Sequence, residues 1–136
     1  MQASRYFTIY DVDYYPRLSH QAIPDVMNAD YQYLILDFGV ITESVFREFL
    51  RCNRKLVIGS LVPWKQESFY GFFQRYNLEK LWESFLFLLL YGNHADTWRL
   101  SQKTKTPHKY LQGIPFLKNP FHIEKEQFSF LDRLLH

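Results

Sequence analysis

At two places in the chain a polar residue follows an apolar run and has the type needed for a nucleotide site. The segment 30–39, DYQYLILDFG, carries Asp37 at the end of such a run. A carboxylate at the carboxyl end of a buried strand lies where open α/β sheets bind ligands, and it can organise magnesium. The run Phe85–Tyr91 is followed by Gly92 and Asn93, and an amide of this type both donates to and accepts from a base edge. Each residue also has a structural alternative: Asp37 as a solvated turn former, Asn93 as the N-cap of the next helix.

Two further carboxylates, Asp11 and Asp13, have the D-x-D spacing that ligates magnesium through oxygen. They lie within YFTIYDVDYY, where aspartates commonly form turns, and the sequence favours the turn. Ser60 lacks the second glycine of a nucleophile elbow, and Cys52 has no base in its sequence neighbourhood. No histidine has metal-ligand spacing to another histidine or to Cys52, which applies to His20, His94, His108, His122 and His136. The sequence therefore predicts no catalytic residue.

The glycines are too far apart for a phosphate-binding loop. The closest two, Gly59 and Gly71, are separated by twelve positions, and such a loop needs clustered glycines followed by Lys and Ser or Thr. We therefore expect that the chain by itself hydrolyses no ATP and carries no cofactor. ATP with magnesium would bind only if another segment or chain supplied the loop.

The elements that must position these residues alternate along the chain. The hydrophobic pattern predicts helices from about residue 42, over 65–76, over 96–105 and over 123–135, and strands at Tyr31–Asp37, Lys55–Leu61, Phe85–Tyr91 and Lys109–Phe116. This alternation predicts an α/β fold of three layers, with a mostly parallel sheet and helices on both faces.

The most apolar strands should be central. We expect Leu34–Asp37, Leu56–Ser60 and Phe85–Tyr91 to be buried on both sheet faces, because their apolar residues are continuous rather than alternating. Residues 6–15 form either one strand or a hairpin folded at Asp11–Asp13. The length of 136 residues suits a single α/β domain.

Bulk properties exclude some classes of partner. The net charge of +2 gives no electrostatic reason for nucleic-acid binding. The strongest apolar run, Phe85–Tyr91, is far shorter than the roughly 20 residues of a membrane span, so no membrane insertion is expected. A lone Cys52 suits a reducing cytoplasm. The one basic cluster reads as a solvated loop and comprises Lys103, Lys105, His108 and Lys109.

The order of these motifs resembles the ParA/MinD-type P-loop ATPases, from their Walker B strand onward. DYQYLILDFG resembles that strand, FLFLLLYGN a later strand that ends on an adenine-side Asn, and GIPFLKNPF the strand and loop after it. FLRCNRKLVIGSLVPWKQESF looks like a divergent Firmicutes branch of the family. The resemblance covers about residues 30–136 and lacks Walker A. It implies a P-loop NTPase-like but incomplete fold, with Asp37 as the Walker B carboxylate and magnesium residue, and Asn93 as the adenine-side amide.

Two functional hypotheses follow from this resemblance, and a third rests on architecture alone. The first is a non-catalytic remnant of such an ATPase that acts through protein association. The second is the carboxy-terminal half of an active ATPase whose P-loop half lies elsewhere, and the third is a small flavodoxin-like binding domain. A sheet without its P-loop strand leaves an unpaired edge and uncovered apolar faces, so we expect a homodimer or dependence on a protein partner.

Overall fold

The computed structural model describes residues 5–136, and the chain divides into two compact units, Met1–Val40 and Ile41–His136. The single-domain organisation stays a prediction. Among the described residues, no helix combines the length and apolarity needed to cross a membrane.

The amino-terminal unit contains an antiparallel hairpin of β1 (Phe7–Ile9) and β2 (Val12–Tyr14). Tyr10 and Asp11 connect the strands with φ angles of 50° and 61°, the left-handed conformation that tight hairpin turns require. Of the two predicted arrangements for residues 6–15, the structure therefore has the hairpin. A short 3₁₀ turn at His20–Ala22 leads into helix α1 (Ile23–Met27), whose Ile23 and Val26 are buried.

Residues 31–37 are extended but belong to neither sheet of the described chain. The prediction that Leu34–Asp37 forms a central buried strand is wrong, because Leu34 is exposed and Ile35 exposes 83% of its surface. An extended segment becomes a strand only when a neighbouring strand satisfies its backbone N–H and C=O groups. Residues 31–37 have no such neighbouring strand among the described residues, although their sequence is mostly apolar.

The carboxy-terminal unit alternates helices with strands, as predicted. Its elements are α2 (Glu43–Arg51), β3 (Lys55–Gly59), α3 (Gln66–Arg75), β4 (Phe85–Leu89), α4 (His94–Thr104), β5 (Leu111–Gly113) and α5 (Lys125–Leu135). The three strands form a parallel sheet in the order β3-β4-β5. The expected α/β class with a parallel sheet is therefore confirmed.

Helices cover both faces of this sheet. On one face the rings of Phe85 and Phe87 pack against Phe49 of α2 and Phe73 of α3, with centroid separations of 5.8 and 4.6 Å respectively. Successive residues of a strand point to opposite faces, so Leu86 and Leu88 face the other way. There they form a cluster with Phe130 of α5, and Leu131 and Leu134 pack against it.

Two arginine side chains fasten α5 to the rest of the unit. Arg54 Nη2 donates a hydrogen bond to the carbonyl oxygen of Arg133 at 2.8 Å, just before β3 begins. Arg133 Nη2 in turn donates to the carbonyl oxygen of Lys109 at 2.6 Å, just before β5. The last helix is thus tied to the starts of both outer strands.

Strands β3 and β4 differ in their surroundings. All five residues of β4 are buried, whereas β3 pairs with β4 alone among the described strands. Leu56 and Ile58 of β3 lie in register with Leu86 and Leu88 of β4. Leu86 and Leu88 are each 2% exposed, whereas Leu56 is 38% exposed and Ile58 is 60% exposed. The prediction that residues 56–60 are buried on both faces is wrong, because β3 is an edge strand and α5 covers only the β4 part of that face.

Candidate functional site

Asp37 adopts the turn geometry that was its structural alternative. The residue is exposed, and its Oδ1 accepts a hydrogen bond from the backbone N–H of Gly39 at 2.9 Å. Gly39 has φ of 60°, a conformation that glycine adopts without the steric cost borne by other residues. Asp37 and Gly39 therefore close a small turn after the extended segment, and a magnesium role for Asp37 stays a prediction.

Asn93 lies where the sequence placed it, directly after the last turn that follows β4. Its Oδ1 accepts from the backbone N–H of Asp96 at 3.0 Å, and Asp96 Oδ2 accepts from the backbone N–H of Asn93 at 3.1 Å. This reciprocal pair is a capping box, which satisfies two amides at the start of α4. The structural alternative is thus realised, and the adenine-side role stays a prediction.

The carboxyl edge of the sheet is closed by backbone between β4 and β5. A Cβ atom at Gly113 would lie 2.2 Å from the carbonyl oxygen of Gly92, so glycine at position 113 allows these two segments to approach, and a Cβ atom at Gly92 would lie 2.6 Å from the Cβ of Leu89. The N–H of Ile114 then donates to the carbonyl oxygen of Leu89 at 2.9 Å. The two glycines consequently serve close packing of the chain at this edge.

Asp13 is a strand residue with two hydroxyl partners, not a turn residue. Its carboxylate accepts from Thr8 Oγ1 at 2.5 Å and from the Tyr31 hydroxyl at 2.7 Å, which itself lies 2.7 Å from the Tyr15 hydroxyl. These bonds favour the ionised carboxylate, so Thr8 and then Tyr31 hold the pKa of Asp13 below its usual range. Both carboxylate oxygens of Asp13 therefore accept hydrogen bonds, one from Thr8 and one from Tyr31, and Asp11 lies in the hairpin turn.

Lys55 is a buried cation at the start of β3. Its Nζ donates to the carbonyl oxygen of Cys52 at 2.7 Å and to Ser84 Oγ at 3.1 Å. Burial disfavours the charged form and lowers the pKa of Lys55, and burial likewise raises the pKa of the Cys52 thiol. Sequence spacing gave no indication of this group, because Ser84 lies 29 residues further along the chain.

The basic cluster separates into individual contacts. Lys103 Nζ lies 3.7 Å from the ring centroid of Tyr70, joining α4 to α3, and Lys109 Nζ lies 4.8 Å from that of Tyr110. These are cation–π contacts within the unit. Lys103 and Lys109 thus each contact a different tyrosine, and these contacts do not bring the four residues together into one basic patch.

Two histidines that sequence spacing kept apart come together beside α4. The ring centroids of His94 and His108 are 5.1 Å apart, and Trp98 packs against His108 at 5.4 Å. Thr97 Oγ1 lies 3.0 Å from His108 Nε2 and donates to the carbonyl oxygen of His94 at 2.9 Å. The signal in the sequence was the i, i+3 and i, i+4 spacing of residues 94, 97 and 98, which places them on one helix face.

No family model, no curated protein and no solved structure matches this chain.

Proposed function

We propose that this chain acts through protein association, as a non-catalytic remnant of a ParA/MinD-like ATPase, and that the open edge of β3 is the associating surface. The observation that carries the proposal is the exposure of Leu56 and Ile58 beside buried Leu86 and Leu88. An edge strand of this kind offers unpaired backbone groups and apolar side chains to another chain.

The edge also lacks the usual protections of a solvent-exposed strand. Edge strands are commonly guarded by proline, by bulges or by charged side chains. The β3 sequence KLVIG contains no proline, and its single charge, Lys55, is buried against the Cys52 carbonyl and Ser84. The ammonium group is thus withdrawn from the position in which it would discourage pairing.

A second copy of the chain fits this edge by symmetry. An antiparallel β3–β3 pair centred on Val57 places Leu56 opposite Ile58 of the other copy and Lys55 opposite Gly59. No like charges face each other in this register, and the four exposed apolar side chains join into one strip. A homodimer with a continuous six-stranded sheet results, which is a closed two-fold arrangement.

Sedimentation velocity at micromolar concentration tests the association. We expect the wild type to sediment as a species larger than its 16.5 kDa chain, and Ile58→Lys to sediment as a folded monomer, because it places a charge on the apolar strip. Ile35→Lys is the matched control, since Ile35 is more exposed than Ile58 but joins no sheet formed by the described residues. A wild type that stays monomeric, or an Ile35→Lys variant that dissociates equally, would overturn the assignment.

The same open edge also supports the alternative that a second polypeptide supplies the missing P-loop half. That half would add its strand and its phosphate loop where β3 is unpaired. For the chain alone we expect no steady ATP turnover, because its glycine spacing provides no phosphate loop. Turnover by the pure protein that disappears in Asp37→Ala would contradict the non-catalytic proposal and favour an active ATPase.

A further inference from the structure

We propose that His94 and His108 form a surface site for a divalent transition-metal ion of the zinc, nickel and copper class. The pair lies apart from the β3 edge and does not depend on the association proposed above. Imidazole nitrogen is a preferred ligand for these metals. The proposal rests on the separation of the two rings, the hydrogen bond at His108 Nε2 and the packing around the His108 ring.

The separation of the rings suits two ligands of one ion. With Zn–N bonds of about 2.0–2.1 Å and tetrahedral angles, the centroids of two ligating imidazoles lie about 5 Å apart. The centroids of His94 and His108 are 5.1 Å apart, with the ring planes inclined at 62°. The separation of the two rings therefore matches that of two imidazoles bound to one ion.

Thr97 Oγ1 lies within hydrogen-bond distance of the carbonyl oxygen of His94 and of His108 Nε2. We assign its single hydroxyl proton to the carbonyl oxygen. With this assignment the Thr97 oxygen accepts from His108 Nε2, which carries the proton of the neutral ring. The Nδ1 atom is consequently left with its lone pair, the state a metal requires, and the outer N–H has the hydrogen-bond partner that ligating histidines commonly show.

The surroundings hold one ligand firmly and leave the other accessible. Thr97 is buried, and Trp98 packs against the His108 ring at 5.4 Å, whereas His94 is exposed. The neighbouring Asp96 is engaged with the Asn93 backbone and with Arg99. Among the described residues no group of three metal-binding side chains occurs, so water or a donor from another molecule completes the coordination.

Titration of the full chain with Zn²⁺ alone, followed by calorimetry, tests the site. A Cys52→Ser background removes the one thiol that competes for the metal. We expect His94→Ala and His108→Ala each to weaken binding by at least about tenfold, comparable to or larger than the effect of altering an outer-shell partner. His122→Ala is the matched control and should bind as the background does. Equal affinity in all four proteins would overturn the site.

Trp98 provides an independent optical readout. Bound Cu²⁺ should quench the fluorescence of Trp98 because the indole packs against His108. The quenching should be lost in His108→Ala and in Trp98→Phe, which leaves Trp64 and Trp82 as reporters elsewhere. Undiminished quenching in Trp98→Phe would place the copper at another site and contradict the proposal.

Substitution of Thr97 tests whether the His94–His108 pair is organised to bind metal or is a chance contact of two rings. We expect Thr97→Val to weaken Zn²⁺ binding by roughly 10- to 100-fold, the usual effect of losing an outer-shell partner, and Thr97→Ser to restore it. Nitrogen NMR of the histidine rings should show the Nε2–H tautomer of His108 in the wild type and in Thr97→Ser. A predominant Nδ1–H tautomer in the wild type would overturn the argument.

Discussion

Two apolar segments of similar composition end in opposite states in this protein. The segment FLFLL at residues 85–89 is strand β4, pairs on both sides and is buried at every position. The segment YLIL at residues 33–36 is equally apolar, yet it is extended, joins no sheet of the described chain and exposes three of its four residues. Hydrophobicity alone therefore does not decide which segment becomes a core strand.

What separates the two segments, within the described part of the chain, is the presence of paired neighbouring strands. Strand β4 has β3 and β5 to satisfy its backbone groups, and helices lie on both faces. Burial of its side chains then follows from that arrangement. Strand β3 lies between the two extremes, with one paired edge and a half-covered face.

The largest expected effect comes from truncating a buried side chain of β4, compared with the same kind of truncation in residues 33–36. Leu88→Ala should lower the free energy of unfolding by about 2–5 kcal/mol, because a buried leucine leaves a cavity. Ile35→Ala should change it by no more than about 0.5 kcal/mol, as at other exposed sites. Urea denaturation followed by circular dichroism measures both. A large loss for Ile35→Ala would show that the segment is a buried element after all.

Two glycines differ in the space around them, one closely packed and one open. Gly113→Ala should destabilise the fold by about 1–3 kcal/mol, because its Cβ meets the Gly92 carbonyl oxygen of the neighbouring chain segment. Gly71 lies inside α3 with no atom within 4 Å of an added Cβ, so Gly71→Ala should stabilise by about 0.5–1 kcal/mol. Thermal unfolding of the two variants should therefore shift in opposite directions, and shifts of the same sign would contradict the packing at β5.

Lys55, at the start of the edge strand β3, should make the stability of the fold depend on pH. Burial lowers the pKa of Lys55 in the folded state, so between that lowered value and about 10.4, the usual value for lysine, the unfolded chain binds more protons. Stability contributed by this residue should therefore rise with pH across that window. Lys55→Met should lack this rise. Urea midpoints of both proteins measured over the window test it, and parallel curves would show that Lys55 is solvated.

The smallest expected effect concerns the hairpin of the amino-terminal unit. Hydrogen bonds from Thr8 and Tyr31 hold the pKa of Asp13 below its usual range. The stability that these bonds contribute is therefore fully present above the usual aspartate pKa and is lost as the pH falls through the lowered pKa. Carboxyl-carbon NMR titration measures the value directly. Thr8→Val and Tyr31→Phe should each raise it. An unchanged Asp13 titration would contradict the hydrogen bonds.

The sequence anticipated the carboxy-terminal unit better than the amino-terminal one. The predicted helices over 65–76 and 123–135 and the predicted strand at 85–91 rest on local signals, and the structure has these elements at 66–75, 125–135 and 85–89. The edge position of β3 and the absence of residues 34–36 from both sheets of the described chain depend on which strands are neighbours, and no local pattern encodes that. The same reason explains why the His94–His108 pair was missed, since a 3₁₀ turn at residues 108–110 and α4 must both form before the rings meet.

The attachment of α5 through Arg54 and Arg133 also has a consequence for synthesis of the protein. Translation proceeds from the amino terminus, so β3, β4 and β5 are all made before the helix that covers Leu86 and Leu88. Until residues 125–135 leave the ribosome, one face of the sheet and the open edge of β3 are exposed together. In this interval the nascent chain exposes apolar surface, and a variant without residues 125–135 would leave Leu86 and Leu88 uncovered.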